Sequence, residues 1–458
     1  MEPTRAAQPA LGINSLPDDL LARVFTHLSS VREFRRVNGV CRAWRAGGSP
    51  LERALRLHIA ARGDAVTEVS AASTTRQICW LELFRAACAS SGLVSASRTV
   101  SAAVDAQGRL LVWGTASKQR GGAVFRFRAP TLVTTPLGAR VERVAVGYDH
   151  VLALTDTGDV LAFGDHTSGQ LGYYSPHIAA RQPAVIERLR GVRVVSIAAG
   201  FRHSMVLTDE GVVYSFGDGS CGQLGLGDEQ SRYGPKVIKA LRDVRVVAIA
   251  AGRTHSLALT DEGTVLSFGY GGAGELGQGF QHEQSRKPMV IEALRGTRVV
   301  AIAAGTHYSM VLTDEGVVLS FGWGSHGQLG HGDLANQTRP KVIEKLRGER
   351  VVAIAAGEAH SMVLTEGGAV LSFGRCGMGG ELGHGDQEDQ LEPKAIEALR
   401  GVCVAAIAAG GIHSLVLTEE GTVLSFGGDD QDQLGRPPGP ALTPSPISGL
   451  HRFCPTRV

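Results

Sequence analysis

Residues 198–249 have the sequence AAGFRHSMVLTDEGVVYSFGDGSCGQLGLGDEQSRYGPKVIKALRDVRVVAI, and the next residues begin the same pattern again with AAGRTHSLALTDEGTVLSFG. The glycine that ends the T-D-E-G turn, or a close variant of it, recurs every 52 or 53 residues, at Gly158, Gly211, Gly263, Gly316, Gly368 and Gly421. A weaker first copy, AAVDAQGRLLVWG, has the equivalent glycine at Gly108. A period this regular predicts a repeat architecture, here with seven copies.

Each copy contains four apolar segments of strand length, such as RVVAIAAG, HSMVLT, VVYSFG and PKVIKAL. We therefore predict a mainly β protein with a seven-bladed β-propeller, one blade per copy. The T-D-E-G link suits a three-residue hairpin with glycine in the left-handed conformation. The small Ala-Ala-Gly triplet suits the crowded strand nearest the axis. An open solenoid is the alternative, although no polar capping repeat ends the array.

The composition favours an intracellular protein. The formal net charge of the 458 residues is +2, which does not indicate a nucleic-acid-binding surface. The seven cysteines include no C-x-x-C pair, as expected for reduced thiols. The N-terminal residues have no signal-peptide core, and the longest apolar runs have strand length. We expect a soluble protein of the cytoplasm, the nucleus or both, without contact to membranes or direct contact to nucleic acid.

The chain before the repeats has helical character. Ser15 can cap a helix whose first turn holds Pro17, Asp18 and Asp19, and an apolar face follows. A helical domain of this size is marginal alone and favours a partner. The predicted divisions are a disordered N-terminus at residues 1–12, the helical domain at 13–61, a linker and docking helix at 62–92, the propeller at 93–450 and a tail at 451–458.

The run SLPDDLLARVFTHL and the later FRRVNGVCRAW resemble the F-box, the helical module that attaches substrate receptors to the Skp adaptor of cullin-RING ubiquitin ligases. The resemblance covers residues 13–57 and implies that a Skp-type adaptor and a cullin are partners. It implies an adaptor-binding surface formed by Leu16, Pro17, Leu20, Leu21, Val24, Leu28, Val40, Cys41 and Trp44. The alternative for each residue is a place in the small domain's own core.

The repeats resemble the regulator of chromosome condensation family. The residues that carry this resemblance are the recurring G-x-x-H-S, T-D-E-G and S-F-G, with G-Q-L-G at residues 222–225 and 327–330. The first copy departs from the pattern, because it has Val100 in place of the histidine. The resemblance covers about residues 93–450 and implies a propeller.

The repeated histidines are candidates for chemistry, at His150, His203, His255, His360 and His413, with Tyr308 in the fifth copy. Blade symmetry spreads such residues around an axis, whereas a metal site needs three or four converging ligands. We predict that they are structural and bond backbone within their own blade. The recurring Leu-Arg-Gly segments receive the same interpretation. No P-loop, G-x-S-x-G, zinc spacing or ubiquitin-transfer domain is found, so we expect no cofactor, no metal and no catalysis.

Three function classes remain. The first is the substrate receptor of a Skp/cullin/F-box ubiquitin ligase, whose propeller binds an unknown protein target. The second is a guanine-nucleotide exchange factor or chromatin-associated regulator that acts on a small GTPase, as the founding member of the repeat family does. The third is a light sensor of the same fold. Sensing tryptophans of that class lie between the repeat's Gly and His, where this chain has none. The F-box favours the first class.

The target site is predicted from variation among otherwise similar copies. The two residues between the repeat's Gly and His differ in every blade, and rotation about one axis places equivalent positions in a ring on one face. The predicted target-binding residues are Tyr148, Asp149, Phe201, Arg202, Arg253, Thr254, Thr306, His307 and Glu358. The rival site is the set of long loops at residues 173–182, 228–233, 280–286 and 386–391.

Overall fold

The computed structural model describes residues 92–450 except 118–122, 175–178, 280–283, 438, 440 and 449. These residues form seven sheets of four antiparallel strands, and each sheet is one blade of a propeller. The mainly β fold class and the seven blades predicted from the repeat are therefore confirmed. The predicted helical domain at residues 13–61, the N-terminus, the tail and all but Gly92 of the linker and docking helix lie outside the described residues.

Each blade uses four strands that are consecutive in the chain. The first three blades comprise β1 (Val94–Ala96), β2 (Val100–Val104), β3 (Leu110–Ser117), β4 (Ala123–Val133); β5 (Val141–Val146), β6 (His150–Thr155), β7 (Val160–Asp165), β8 (Ala179–Val185); β9 (Val194–Ala199), β10 (His203–Thr208), β11 (Val213–Gly217) and β12 (Arg232–Val237). The next two comprise β13 (Val246–Ala251), β14 (His255–Thr260), β15 (Val265–Tyr270), β16 (Gln284–Val290); β17 (Val299–Ala304), β18 (Tyr308–Thr313), β19 (Val318–Gly322) and β20 (Gln337–Val342). The last two comprise β21 (Val351–Ala356), β22 (His360–Thr365), β23 (Val370–Gly374), β24 (Gln390–Ala395); β25 (Val404–Ala409), β26 (His413–Thr418), β27 (Val423–Gly427) and β28 (Ala441–Pro446).

One short 3-10 turn connects each of the first six blades to the next. These turns are Pro136–Gly138, Glu187–Leu189, Lys239–Leu241, Glu292–Leu294, Glu344–Leu346 and Glu397–Leu399. From the second blade onward each turn ends in a buried leucine. The leucine anchors the connection to the blade cores, so the chain enters the next inner strand at a fixed position.

The hairpin between the second and third strands has the predicted geometry. In the third blade the Thr208 N–H donates to the Val212 carbonyl at 3.0 Å, and the Gly211 N–H donates to the Thr208 carbonyl at 3.0 Å. Gly211 has φ = 84°, which is the left-handed region that glycine adopts without a Cβ penalty. The three residues between Thr208 and Val212 therefore form the tight turn expected from T-D-E-G.

The core lies between neighbouring blades. Every residue of β10 is buried, as are those of the equivalent strands, because both faces of each sheet are covered. One apolar cluster joins Leu152 and Leu154 of the second blade to Val206 and Phe216 of the third. Most stabilisation from apolar burial therefore depends on blade-to-blade contact.

The inner strands line the axis with small side chains, as predicted. Alanines of the Ala-Ala-Gly triplets border an axial cavity of about 220 Å³. Ala199, Ala251, Ala304, Ala356 and Ala409 are among them.

The ring closes between the seventh and first blades through side chains. Val94, Ala103 and Trp113 of the first blade belong to the same buried cluster as Leu415, Leu417 and Val423 of the seventh. The Trp113 indole Nε1–H donates to the Gln433 carbonyl at 2.8 Å. The two sheets, β1–β4 and β25–β28, exchange no strand within the described residues. The architecture is thus a closed ring, and the open solenoid alternative is wrong.

Candidate functional site

The variable pairs between the repeat's Gly and His lie in the loops that join the first strand of each blade to the second. In a four-stranded antiparallel sheet these loops share one end with the loops between the third and fourth strands. Direct contacts show this, because the Asp218 N–H donates to the Arg202 carbonyl and the Trp323 N–H to the His307 carbonyl, both at 2.8 Å. The predicted ring and the described parts of the rival long loops therefore lie on the same face, which we call the loop face.

The first residue of each variable pair lines the axial cavity at the loop face. These residues are Arg98, Tyr148, Phe201, Arg253, Thr306, Glu358 and Gly411, one from each of the seven blades. Five of the predicted target-binding residues are thereby brought around one opening. Arg98 is a further member that the sequence prediction missed, because the first copy lacks the repeat's histidine. Its alignment with the other inner-strand loops was the available signal.

The second residues of two pairs, Asp149 and His307, contact the preceding blade. Asp149 is 8% exposed, and its carboxylate accepts a hydrogen bond from the Ser117 N–H at 2.8 Å. Burial raises the pKa of the Asp149 carboxyl to about 6. His307 is half-buried, with its Nδ1 3.6 Å from Oε1 of the fully buried Glu275. Arg202 and Thr254 are half-buried. Asp149 thus bonds the first blade, while Arg202, Thr254 and His307 remain partly accessible.

Aromatic and cationic side chains gather on one side of the opening. The rings of Tyr148 and Phe201 lie 4.1 Å apart between their centroids. The guanidinium carbon of Arg253 is 4.7 Å from the Phe201 centroid, and that of Arg202 is 5.1 Å from it. These distances are within the range of cation–π attraction. We call Tyr148, Phe201, Arg202 and Arg253 the cation–aromatic cluster.

The opposite side of the opening carries a neutralised pair. The Arg98 Nη1 lies 3.3 Å from Glu358 Oε1, across the intervening seventh blade. Gly411 lies beneath this pair, since a Cβ built there would be 2.7 Å from the Arg98 Cα and 2.9 Å from Glu358 Oε2. The opening is therefore asymmetric, with a charge-paired side and a cationic side.

The repeated histidines bond the next blade and not their own, so the prediction of bonding within each blade is wrong. His203 Nε2 lies 2.9 Å from Ser256 Oγ, and Ser256 Oγ donates to the Gln223 carbonyl at 2.9 Å. Because the serine uses its proton on that carbonyl, it accepts the Nε2–H of the imidazole. The same pattern joins His150 to Ser204, His255 to Ser309, His360 to Ser414 and His413 to Ser101.

We call the contact between the histidine position of one blade and the serine position of the next a joint. Two joints depart from the histidine–serine pattern. In the fifth blade Tyr308 replaces the histidine, and its hydroxyl donates to the His360 carbonyl at 2.6 Å and accepts from Ser361 Oγ at 2.9 Å. Between the first and second blades the equivalent positions are Val100 and Val151, both buried, so this joint is apolar. The prediction that these positions are structural agrees with six polar joints around the ring.

Burial keeps the joint imidazoles neutral. It lowers the pKa of His150 and His413 to about 3, and that of His203, His255 and His360 to about 4. Within the described part of the chain, no three His, Cys, Asp or Glu side chains are grouped closely enough to hold a metal ion. The imidazoles therefore act as neutral hydrogen-bond donors between blades.

Steric crowding explains why a glycine stands three residues before each histidine. A Cβ at Gly200 would lie 2.3 Å from the His203 Cε1 and 2.5 Å from the Gly252 carbonyl oxygen of the next blade. In the first blade the two positions hold Ser97 and Val100, so a side chain appears at the glycine position where the imidazole is absent. Gly and His are thus needed together.

The face opposite the loop face carries the T-D-E-G turns and the Leu-Arg-Gly segments. Their arginines form exposed ion pairs within one turn, Arg295 with Glu292 at 2.7 Å and Arg190 with Glu187 at 3.0 Å. Exposed pairs of this kind contribute little to stability. No helix in the described ranges is long and apolar enough to cross a membrane. The three described cysteines, Cys221, Cys376 and Cys403, are free thiols.

Comparison with known families gives four matches. Residues 86–363 match the family model described as the RCC1-like domain. Residues 367–417 and 404–433 match regulator of chromosome condensation (RCC1) repeats. Residues 13–46 match the F-box-like family.

Two relatives and two solved structures are similar to this chain. The human E3 ubiquitin-protein ligase HERC2 is 37% identical over 319 residues, which is 68% of this chain but only 6% of HERC2. The ultraviolet-B receptor UVR8 of Arabidopsis thaliana is 34% identical over 66% of this chain and 68% of its own. The crystal structure of human WBSCR16 superposes with a TM-score of 0.65 at 25% identity, covering 74% of this chain and 94% of that one. The crystal structure of Prp20p from Saccharomyces cerevisiae superposes with a TM-score of 0.66 at 24% identity, covering 81% of this chain and 90% of that one. This likeness shows the fold alone.

Proposed function

Since the chain belongs to the RCC1-like domain family and has an F-box-like segment at residues 13–46, we propose that it is the substrate-recognition subunit of a Skp/cullin/F-box ubiquitin ligase. The F-box-like match carries this proposal, because an F-box implies binding of a Skp-type adaptor, which in turn binds a cullin. The adaptor-binding residues proposed are Leu16, Pro17, Leu20, Leu21, Val24, Leu28, Val40, Cys41 and Trp44.

The propeller's proposed role is to bind the target protein at the loop face. Repeats supply a rigid ring, and variable residues from all seven blades surround one opening. Partly exposed aromatic and arginine side chains are frequent anchors of protein interfaces. The chain itself is proposed to be non-catalytic, with ubiquitin transfer performed by other subunits, and to act in the cytoplasm, the nucleus or both.

Replacement of Pro17 by Gly together with Leu20 by Asp tests the adaptor assignment. Affinity purification of the tagged full chain from cells should recover a Skp-type adaptor and a cullin, and the double variant should lose both. The control is the triple variant F201A/R202A/R253A, which should retain the adaptor and lose the target. Capture of the adaptor at equal strength by residues 93–450 alone would refute the assignment.

The second candidate function is guanine-nucleotide exchange, or chromatin-associated regulation, through a small GTPase. Membership of the RCC1-like family favours it, since the founding member of the repeat family is an exchange factor. The release of fluorescent GDP from a small nuclear GTPase distinguishes the two candidates. Acceleration of GDP release by the full chain at catalytic concentrations would support exchange activity. An unchanged rate would exclude exchange activity and leave the receptor function as the single candidate.

A further inference from the structure

The cation–aromatic cluster suggests which chemical class of target the loop face binds. Resting on the receptor function proposed above, we propose that the axial opening binds a short acidic segment of the target protein, with a carboxylate held by Arg253 and Arg202 beside Phe201. The neighbouring peptide side chain would enter the alanine-lined cavity of about 220 Å³.

The two arginines are free for an external anion. Among the described residues neither guanidinium has a carboxylate oxygen within 4.0 Å, whereas Arg98 across the opening is paired with Glu358 at 3.3 Å. Asp149, whose carboxyl interacts electrostatically with Arg202, is buried and bonded to the Ser117 N–H. Arg253 is therefore the principal anion-binding group, and Arg202 is the supporting one.

The geometry prepares these groups before a ligand arrives. Contact with Phe201 restrains both guanidinium groups, and Tyr148, with its ring 4.1 Å from Phe201, restrains the phenyl ring. An arginine held against an aromatic ring keeps N–H donors for a carboxylate, which it can bind through two parallel hydrogen bonds. A restrained cation loses less conformational entropy on binding, so the cluster favours a peptide carboxylate over water.

The surrounding charges favour a peptide over a nucleic acid. Glu388, Asp389 and Asp430 are exposed on loops of the same face. These carboxylates repel a polyanion that follows the surface, whereas a segment with one or two acidic residues needs to contact only the two arginines.

Selection of randomised, displayed dodecapeptides on the immobilised full chain tests the inference. We expect enrichment of Asp or Glu at one fixed position next to an uncharged residue. A synthetic selected peptide should bind R253Q at least tenfold more weakly than the original chain, and its Asp→Asn or Glu→Gln form should lose a similar factor. The two losses should not multiply when combined, because both remove the same interaction. R295Q, on the opposite face, is the matched control and should bind normally.

Reversing the charge of Arg253 gives a second test, which measures a change of peptide preference and not only a loss of binding. Selection on R253E should replace the acidic preference with Lys or Arg at the same position. Enrichment without acidic bias, absence of any enriched peptide, or equal binding by R253Q would overturn the inference. Tighter binding of a uridine oligonucleotide, lost in R253Q, would replace the peptide by RNA. Adaptor capture by the F-box is measured separately, so either proposal can fail while the other stands.

Discussion

Nε2 of His413, on the seventh blade, lies 2.7 Å from Oγ of Ser101, on the first, although 312 residues separate them. Ser101 Oγ donates in turn to the Gln433 carbonyl at 2.9 Å. The same carbonyl accepts the Trp113 Nε1–H at 2.8 Å. The seam that closes the ring thus uses the histidine–serine joint of the internal interfaces and adds an indole.

Replacement of Ser101 by Ala should destabilise the propeller by about 1–3 kcal/mol, because it leaves the buried imidazole N–H of His413 without an acceptor. The Gln433 carbonyl keeps its bond from the Trp113 Nε1–H. Urea unfolding followed by near-ultraviolet circular dichroism measures this. Ser220→Ala, at an exposed serine, is the control and should change stability by less than about 0.5 kcal/mol. Equal stability of the two variants would mean that the seam depends on apolar packing alone.

Replacement of Gly200 by Ala should be more severe than an ordinary glycine-to-alanine change. The added Cβ would overlap the His203 ring and the Gly252 carbonyl, which can separate only if the two blades move apart. We expect a loss of roughly 2–4 kcal/mol, typical of overpacking against a fixed backbone. Gly367→Ala is the matched control, because the nearest atom to its Cβ would be 3.7 Å away. Thermal unfolding of the two variants should separate clearly, and coinciding midpoints would contradict the steric explanation.

Stability should fall as the pH decreases from about 6.5 to 4. Five joint histidines have folded pKa values of about 3 or 4, so the unfolded chain binds protons before the folded one does. The pKa values of Asp149 and Glu381, raised to about 6 and 7, act in the opposite direction. Five groups outweigh two, so the net effect is acid destabilisation.

Melting temperatures at pH 7.5 and pH 5.0 test this linkage. His203→Gln keeps a donor but removes one titrating group. The variant should therefore lose less stability than the original chain between the two pH values. A larger loss in the variant would show that other groups control the acid response.

Replacement of Glu381 by Gln should stabilise the protein above pH 7. Burial raises the pKa of Glu381 to about 7, and four other blades have glutamine at this position. A carboxyl with a raised folded pKa loses stability as the pH rises through that value, so its removal restores on the order of 2 kcal/mol at pH 8. The gain should shrink toward pH 4, where the carboxyl is protonated in both states. A gain independent of pH would assign the effect to packing.

The sequence predicted the features that depend on local pattern. The T-D-E-G turn needs only its own residues, and the glycine at Gly211 has the expected positive φ. The strand lengths and the alanines at the axis follow from residue size and periodicity. Such features repeat within each copy, so seven observations support one inference.

The partner of each histidine could not be predicted in this way. In the H-S dipeptide, which occurs in four of the seven copies, a histidine can bond within its own copy or to the next, and both choices give the same sequence. Blade packing decides, because it places Ser256 at 2.9 Å from His203 across 53 residues. The sequence likewise did not show that the predicted ring and the long loops lie on the same face, because this follows only from the strand order of each sheet.

The consecutive strands of each blade mean that the ring has no unique starting point. Since no sheet is completed by a strand from elsewhere in the described chain, a cut at any connection between blades would divide no sheet. A circular permutant that joins the seventh blade to the first and begins at the Lys239–Leu241 turn would preserve every strand pair. The repeat unit of the sequence therefore coincides with the four-stranded sheet of one blade. Whole blades could be exchanged between relatives, and every strand would keep its hydrogen-bonded neighbours.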